Sequence, residues 1–313
     1  MGEYSVKNFF IIGNGFDLAH NVKTSYEEFH KYLEDNYCYK EDLFNIPESN
    51  MLPDGGEIYD DDEVVTILIN LISQAEELGE NWSDIETSLG LLDYNTYLEG
   101  YKDVYIEDDD GDGDNLWKSD YLYEDVSRDM YNCTIKIKEL FYDWANTIDI
   151  SDCVKKNKFI DLVNVEDDIF LTFNYTTVLE EIYNAKNVYH IHGVQGGDII
   201  IGHGKNECDS KSMYIGSESS LEKLHEDLKK KTEEIINSFE IFKMDFGDIN
   251  EIYSFGFSFS EVDMPYIAEI CNKINTQNTI WYLNNYESEE IRGIYKEKIR
   301  ACGFKGSFKV YNL

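Results

Sequence analysis

Short apolar runs that alternate with helical segments constrain the fold of this 313-residue chain more than any other feature. Each run suits a buried strand, and the runs lie at residues 7–13, 168–173, 187–191, 198–202, 251–256, 279–283 and 307–311. Segments with apolar residues every three to four positions separate most of these runs, including residues 177–185 and 221–239. Strands that alternate with helices favour a parallel sheet covered on both faces. We therefore predict an α/β fold with a doubly wound, mostly parallel, Rossmann-like sheet.

Residues 40–150 show a different pattern and interrupt the predicted sheet. Two acidic runs, at 57–63 and 107–114, accompany stretches in which apolar residues follow a helical spacing. Such spacing is typical of helices that bury one face. We predict a helical insertion over 40–150 with acidic loops at its tips. The α/β nucleotide-binding domain is then formed by residues 1–39 and 151–313.

Acidic residues outnumber basic ones by 63 to 27, and the formal net charge is −36. Phosphate backbones bind Lys and Arg, so direct nucleic-acid binding is not expected, and neither is an anionic membrane surface. We expect no secretory leader, and the first apolar run is too short to cross a bilayer. The six cysteines are scattered without a CxxC pair. We therefore expect a cytoplasmic protein with reduced thiols and no structural zinc.

Two of the predicted strands end in glycines, an arrangement suited to a phosphate or a ribose. Gly13, Asn14 and Gly15 follow the first strand, and Gly256 and Ser258 end the strand that begins at residue 251. Glycine permits a tight turn and a close approach of the backbone to a ligand. Ordinary turns between a strand and a helix explain the same residues without a ligand, so both interpretations stay open.

Polar residues also follow the second predicted strand, where Thr172 and Asn174 flank a phenylalanine. Open α/β sheets bind their ligands at the carboxyl ends of strands. The amide of Asn174 can both donate and accept a hydrogen bond, which suits a ribose or a carboxamide. Capping of the following helix by Asn174 or Thr176 is the alternative interpretation.

Three of the six histidines lie close together in the chain, at His190, His192 and His203. On one strand, His190 and His192 would point to the same face of the sheet. They could then bind a metal, with His203 or an aspartate as the third ligand. Alternatively, one histidine is a general base and the other packs beside it. Core histidines with satisfied hydrogen bonds are a third interpretation.

Several motifs, taken together, resemble one protein family. They comprise Ile12-Gly13-Asn14-Gly15-Phe16-Asp17-Leu18-Ala19-His20, Thr24-Ser25-Tyr26 with Phe29, Trp82-Ser83-Asp84-Ile85-Glu86, Phe173-Asn174-Tyr175-Thr176, His190-Ile191-His192-Gly193 and Gly256-Phe257-Ser258-Phe259-Ser260. In this order they are similar to AbiH-type bacteriophage abortive-infection proteins, and the match covers nearly the whole chain. The resemblance implies a role in defence against phage.

The same motifs are also similar, more distantly, to the SIR2-like superfamily. Residues 13–15 stand where those proteins have Gly-Ala-Gly. Asn174 and His192 match the asparagine and the histidine of two SIR2 motifs, while Gly256 and Ser258 match the Gly-x-Ser block that holds the adenosine side of NAD. The resemblance implies NAD binding and, as in phage-defence relatives, NAD cleavage.

The same resemblance implies a role for each matched residue. The turn at residues 13–15 would hold the phosphates of NAD, and Asn174 would orient the nicotinamide ribose or the attacking water. His192 would be the general base, with His190 as its neighbour. Asp17 and Thr172 complete the implied NAD-binding set.

The chain departs from the SIR2 pattern at two of these positions. Thr176 stands where the superfamily has an aspartate, and Asp17 stands where it has a serine. The four-cysteine zinc module of the sirtuin deacetylases is absent from the sequence. Protein deacetylation is therefore disfavoured as the activity.

The sequence thus predicts an anti-phage protein that binds NAD and hydrolyses the nicotinamide–ribose bond, with a homo-oligomer or a defence-system protein as a further partner. One alternative is a metal-dependent hydrolase or nuclease that uses His190, His192 and His203. Another is a non-enzymatic nucleotide-sensing module. No GxSxG or GxxxxGK[ST] motif occurs, which removes the main evidence for an α/β hydrolase or a P-loop NTPase. The NAD hypothesis requires Asn174, His192 and the two glycine turns to meet at one cleft.

Overall fold

The computed structural model describes residues 7–40, 46–76, 82, 84–99, 115–206 and 214–313. The chain divides into two compact units. The first comprises Met1–Ser25, Ala145–Ile200 and Lys231–Leu313, and the second comprises Tyr26–Trp144 and Ile201–Lys230. The insertion predicted at 40–150 corresponds to much of the second unit, which also takes in the helix before it and a later segment.

The strands are β1 (Phe9–Ile12), β2 (Asn50–Met51), β3 (Glu57–Ile58), β4 (Ile169–Thr172), β5 (Asn187–His190), β6 (Glu251–Phe255), β7 (Ile280–Asn284) and β8 (Ser307–Tyr311). The first unit contains a six-stranded sheet in the order β5-β4-β1-β6-β7-β8. Every neighbouring pair in this sheet is parallel. In chain order this is the 3-2-1-4-5-6 arrangement of dinucleotide-binding folds. The predicted doubly wound α/β fold is confirmed.

The helices are α1 (Asn14–Ala19), α2 (Tyr26–Asn36), α3 (Asp61–Ala75), α4 (Ile85–Leu89), α5 (95–99), α6 (Asn115–Ile135), α7 (Ile137–Thr147), α8 (Asn157–Leu162), α9 (Glu218–Leu228), α10 (Thr232–Ser238), α11 (Met264–Lys273) and α12 (Glu289–Ala301). A π-helical turn spans Val178–Ile182, and short 3₁₀ turns span Glu240–Lys243 and Glu261–Asp263.

The first strand is apolar throughout because both faces of the sheet are covered. Phe9 and Ile11 belong to one core cluster, which α11 and α12 help to form. Phe10 and Ile12 belong to another, together with residues of α1 and α8. All four side chains are completely buried. A run of this kind is expected of a central parallel strand, whereas a strand with one wet face would alternate.

The predicted strand at 198–202 is wrong. Ile199 forms only an isolated antiparallel bridge to Gly193, and the amide of Ile200 donates to the carbonyl of His192 at 2.9 Å. The apolar residues here complete a local turn that follows β5. A short apolar run looks the same in sequence whether it pairs in a sheet or packs in a buried loop.

Two predicted helices also differ from the structure. Within residues 177–185 only the π-helical turn Val178–Ile182 forms, and residues 221–239 are divided between α9 and α10. The division falls at Lys229, which forms a parallel bridge with His203 in the second unit. Tertiary pairing of the backbone has replaced the helical hydrogen bonds that the apolar spacing alone would favour.

The second unit combines helices with one small hairpin. β2 and β3 are antiparallel, so the insertion is not purely helical. The acidic run at 57–63 is not a loop, because it contains β3 and the start of α3. Asp60 caps α3 by accepting from the amides of Asp62 and Glu63. The acidic run at 107–114 lies outside the described residues.

Trp82, Ile85 and Glu86, from the segment noted above for its family resemblance, are buried in the second unit. Trp82 is 1% exposed and stacks on His30 with ring centroids 4.4 Å apart. Glu86 forms a buried ion pair with Lys230, with Oε1 and Nζ 2.6 Å apart. Ser83, between them, lies outside the described residues.

The turn after β1 and the turn after β6 meet at the point where the strand order reverses. The amide of Gly13 donates to the carbonyl of Phe255 at 3.0 Å, and the amide of Gly15 donates to that of Gly256 at 2.9 Å. Gly256 has a φ of +65°. A Cβ at Gly13 would lie 2.5 Å from the Gly256 carbonyl oxygen, and a Cβ at Gly256 would overlap the backbone of Gly15 and Phe16. The glycines are therefore explained by the close contact of these two turns.

Replacing Gly256 by alanine should lower the free energy of unfolding by at least about 2 kcal/mol, because the new Cβ meets backbone atoms and the positive φ disfavours it. Gly293→Ala is the matched control. Gly293 lies inside α12 with no atom near its missing Cβ, so alanine should stabilise by about 0.5–1 kcal/mol. Urea unfolding of both variants measures the difference, and equal stabilities would contradict this account of the switch point.

Candidate functional site

The carboxyl ends of the central strands form one edge of the first unit. Thr172 ends β4 in register with Ile12 of β1 and with His190 of β5. Ile12 is in turn paired with Phe255 of β6. The residues that follow these positions are those singled out from the sequence. This edge includes the topological switch point, where open α/β sheets bind their ligands.

The glycine turns lie at this edge, but their amides have partners. The amides of Gly13 and Gly15 donate to the turn after β6, and the amide of Phe16 donates to the carbonyl of Gly13. The Asn14 side chain donates to the carbonyl of Thr24 and accepts from its hydroxyl. The expected phosphate contacts from the Gly13 and Gly15 amides are therefore not available in this conformation.

Asp17 lies in α1 and is 1% exposed. Its Oδ2 accepts a hydrogen bond of 2.6 Å from the hydroxyl of Thr176, while Oδ1 has no hydrogen-bond partner among the described residues. Burial raises the pKa of Asp17 to about 6, although the Thr176 hydroxyl, the Asn174 amide and the charge of His190 all lower it. A buried acid with such a pKa is typical of functional sites.

Asn174 follows β4 and is 5% exposed. Its backbone amide donates to the hydroxyl of Thr172 at 3.1 Å. Its side-chain amide approaches the Asp17 carboxyl and lowers that pKa, yet neither Nδ2 nor Oδ1 makes a well-formed hydrogen bond in the described part of the chain. Buried amides are normally satisfied on both atoms. Asn174 is thus a polar group placed for a partner beyond its present neighbours.

His192 does not lie on the strand, because β5 ends at His190. The premise that the two histidines share a strand face is wrong. The Nε2 of His192 is 3.4 Å from Oδ1 of Asp263, and both residues are at least 94% buried. The hydroxyl of Ser260 donates to the other Asp263 oxygen at 3.2 Å. The His192 ring packs edge-on against Phe173 and Tyr266.

His190 faces a different set of groups. Its Nδ1 is 2.9 Å from the carbonyl oxygen of Asn174, and its Nε2 is 2.7 Å from Oε1 of Glu180. Glu180 belongs to the π-helical turn that follows β4. The two histidines of the HxH motif therefore serve separate clusters, since a chain turn after His190 redirects the second ring.

Sequence reasoning missed both acidic partners. Glu180 was assigned only to the predicted helical segment 177–185, and Asp263 was given no role at the site. Position in the chain did not indicate the His192–Asp263 pairing, because the two residues are 71 positions apart. Ser258, by contrast, was predicted to bind a cofactor and is exposed on the surface.

A metal centre built from three histidines does not form. His203 belongs to the second unit, where its Nε2 is 3.0 Å from the carbonyl oxygen of His225 and its Nδ1 accepts from the amide of Lys205. Burial, together with the neighbouring His225 ring, lowers the pKa of His203 to about 4. Across the described ranges, no group of three or more His, Cys, Asp or Glu side chains is arranged to hold a metal ion.

The fold and its edge define a class of protein: a doubly wound α/β protein with a buried His–Asp pair and a buried asparagine at the carboxyl ends of its central strands. The chain matches the sequence model of the bacteriophage abortive infection AbiH family over residues 9–285, and it belongs to that family. Comparison with curated proteins and with solved structures gives no significant match. No helix within the described ranges is long and apolar enough to cross a membrane.

The raised pKa of Asp17 predicts a pH-dependent stability. The folded protein holds the Asp17 proton up to about pH 6, whereas the unfolded chain releases it near 3.8. The free energy of unfolding therefore falls as the pH rises from about 3.8 to about 6, and the full cost of burying the carboxylate is present above pH 6. Asp17→Asn should gain stability relative to the wild type on going from pH 4 to pH 7, by about 2–3 kcal/mol.

Urea unfolding at pH 4, 5, 6 and 7 measures this difference. Thr176→Val is the companion variant, because losing its hydroxyl removes a contact that lowers the Asp17 pKa. That variant should therefore show a stronger loss of stability with rising pH. A difference between Asp17→Asn and the wild type that is the same at every pH would show that Asp17 ionises equally well in both states.

Proposed function

We propose that this AbiH protein acts in phage defence by binding NAD and hydrolysing the bond between nicotinamide and ribose. Membership of the family places the protein in bacteriophage abortive infection. The activity is our proposal, and it rests on the polar groups at the carboxyl edge of the sheet together with the SIR2-like pattern of the sequence.

The observation that carries the proposal is the buried His192–Asp263 pair, with its 3.4 Å separation. The amide of Asn174, buried next to Asp17, is a second polar group at the carboxyl ends of the strands. A carboxylate next to an imidazole fixes the orientation of the ring and stabilises its protonated form. Such a pair suits a general base better than a structural histidine, because burying two ionisable groups costs free energy. The Phe173 and Tyr266 rings pack against the His192 ring and help to hold it in place.

The chemistry requires few groups. A water molecule attacks C1′ of the nicotinamide ribose, the bond from C1′ to the pyridinium nitrogen breaks, and its electron pair returns to the ring. Nicotinamide thus leaves as a neutral molecule, and the proton of the water passes to His192. The transition state has positive charge on the sugar, which fixed dipoles and a nearby carboxylate stabilise. The Asn174 amide and Asp17 are the groups placed for this purpose.

The turn at residues 13–15 was expected to hold the phosphates of NAD, but its amides are not free to do so in this conformation. Because the Gly13 and Gly15 amides have backbone partners, phosphate contacts would need a separation of the turns after β1 and β6. The side chains of His192 and Asn174 are also buried. Entry of NAD therefore involves movement of these turns, and an abortive-infection protein that is silent until triggered would suit such a closed site.

His192→Ala and Asp263→Asn should each lower the rate of NAD cleavage, by about 10²–10⁴-fold for the general base and less for the carboxylate that orients it. Purified protein is incubated with NAD, and nicotinamide and ADP-ribose are measured by mass spectrometry. Because His192 is buried, circular dichroism checks that each variant still folds, and His192→Gln is a second variant that keeps a polar side chain at this position.

Glu261→Gln is the matched control, since Glu261 lies two residues before Asp263 but is exposed and paired with Lys298. It should leave cleavage unchanged. Equal losses in Glu261→Gln and Asp263→Asn would argue for a general disturbance of the loop and against the His–Asp pair. Asn174→Ala should lower turnover as well.

EDTA should leave NAD cleavage unchanged, because the proposed reaction uses His192 and water without a metal. Loss of activity with EDTA, and its return with a divalent ion, would instead favour the metal-dependent hydrolase. In that case His190→Ala should be as damaging as His192→Ala.

Candidate activators, including lysate from phage-infected cells, are added in parallel to the NAD incubations. If NAD is intact under every condition, hydrolysis is rejected. Binding of NAD measured by calorimetry would then point to a nucleotide-sensing module.

A further inference from the structure

His190 contacts two oxygen atoms, one at each ring nitrogen. Nδ1 is 2.9 Å from the backbone carbonyl oxygen of Asn174, and Nε2 is 2.7 Å from Oε1 of Glu180. A carbonyl oxygen can only accept a hydrogen bond, and an ionised carboxylate can only accept as well. A neutral imidazole has a single N–H and can satisfy one of the two. Both contacts are hydrogen bonds when the ring is the doubly protonated cation.

Three further features fit a cation at this position. The His190 side chain is 10% exposed and that of Glu180 33%, so the pair is only partly screened by water. His190 also interacts electrostatically with Asp17, which is acidic as well. Glu180 lies in a π-helical turn, an unusual conformation that occurs frequently at functional sites.

We propose that His190 and Glu180 form a positioning pair, in which a protonated His190 donates from both ring nitrogens and holds the backbone of Asn174. Fixing the carbonyl of Asn174 also fixes the direction of its side-chain amide, which is buried beside Asp17. His190 is then neither a metal ligand nor a base, because a doubly protonated ring has no lone pair in its plane. The effect of this pair on catalysis rests on the proposed NAD cleavage. The His190–Glu180 pairing does not depend on that activity.

Glu180→Gln tests the pair, with Glu181→Gln as the matched control. Glu181 is the next residue in the same turn, is exposed, and accepts from Thr177 rather than from His190. Long-range ¹H–¹⁵N spectra of histidine-labelled protein at neutral pH report whether both ring nitrogens of His190 carry a proton. In Glu180→Gln the ring loses its carboxylate acceptor at Nε2, so its ¹⁵N shifts should move towards those of a neutral ring. Glu181→Gln should behave as the wild type does.

The carbonyl ¹³C shift of Asn174 gives a second readout that needs no activity. It should move in Glu180→Gln and in His190→Ala, because the hydrogen bond to that oxygen weakens, and should be unchanged in Glu181→Gln. Where NAD is cleaved, Glu180→Gln should lower kcat by about 10–100-fold through misplacement of Asn174, with a smaller change in KM.

The two proposals fail in different ways. If NAD is never cleaved but the ¹⁵N shifts of the His190 ring and the Asn174 carbonyl shift respond to Glu180→Gln and not to Glu181→Gln, the positioning pair stands and the hydrolase proposal fails. Identical His190 ring shifts in the wild type, Glu180→Gln and Glu181→Gln overturn the positioning pair, whatever the activity. An unchanged Asn174 carbonyl shift in His190→Ala overturns it as well.

Discussion

Backbone contact between the turns after β1 and β6 organises the functional edge of this protein. The amides of Gly13 and Gly15 bond to carbonyls of Phe255 and Gly256, at the point where the strand order reverses. Only residues without a Cβ permit this approach, since an added Cβ would overlap backbone atoms at each of the three glycines. The contact brings the segment that contains Asp17 and the segment that leads to Asp263 to the same edge. Glycines of this kind, commonly associated with phosphate binding, here have a packing role first.

Two polar clusters lie along this edge, and they divide the work of the proposed reaction. The first cluster is the buried pair of His192 and Asp263, which would act as the base and its orienting acid in the proposed reaction. Asp17, Thr176 and Asn174 form the second cluster, to which His190 and Glu180 are joined through the Asn174 carbonyl. Each cluster therefore contains one histidine of the HxH motif, and the two rings contact different partners. This separation opposes a shared metal and favours distinct roles for the two histidines.

The side chains of His192 and Asn174 are buried, and a closed site would fit the role of the family in phage defence. An abortive-infection protein that consumed NAD continuously would harm its own host, so a closed site is the resting state that such an activity requires. The buried polar groups proposed for catalysis also lower the stability of the fold. Asp17 illustrates this cost, because burial raises its pKa to about 6. Native proteins commonly tolerate such destabilising groups where function needs them.

The sequence by itself determined the strand–helix alternation, the parallel sheet and the position of the glycine turns and of Asn174 at strand ends, because apolar runs and glycines are local properties of the chain. It also identified Asn174, His192 and Asp17 as candidates. Only the tertiary structure decided that β5 stops at His190, that residues 198–202 form a turn, and that Asp263 and Glu180 are the partners of the two histidines. These outcomes depend on contacts between segments far apart in the chain. The sequence also does not show that Ser258 is exposed and Asp263 buried, because both are polar residues that follow the same strand. Burial, which sets the pKa of Asp17 and leaves the Asn174 amide without a well-formed hydrogen bond, arises only when the strands assemble.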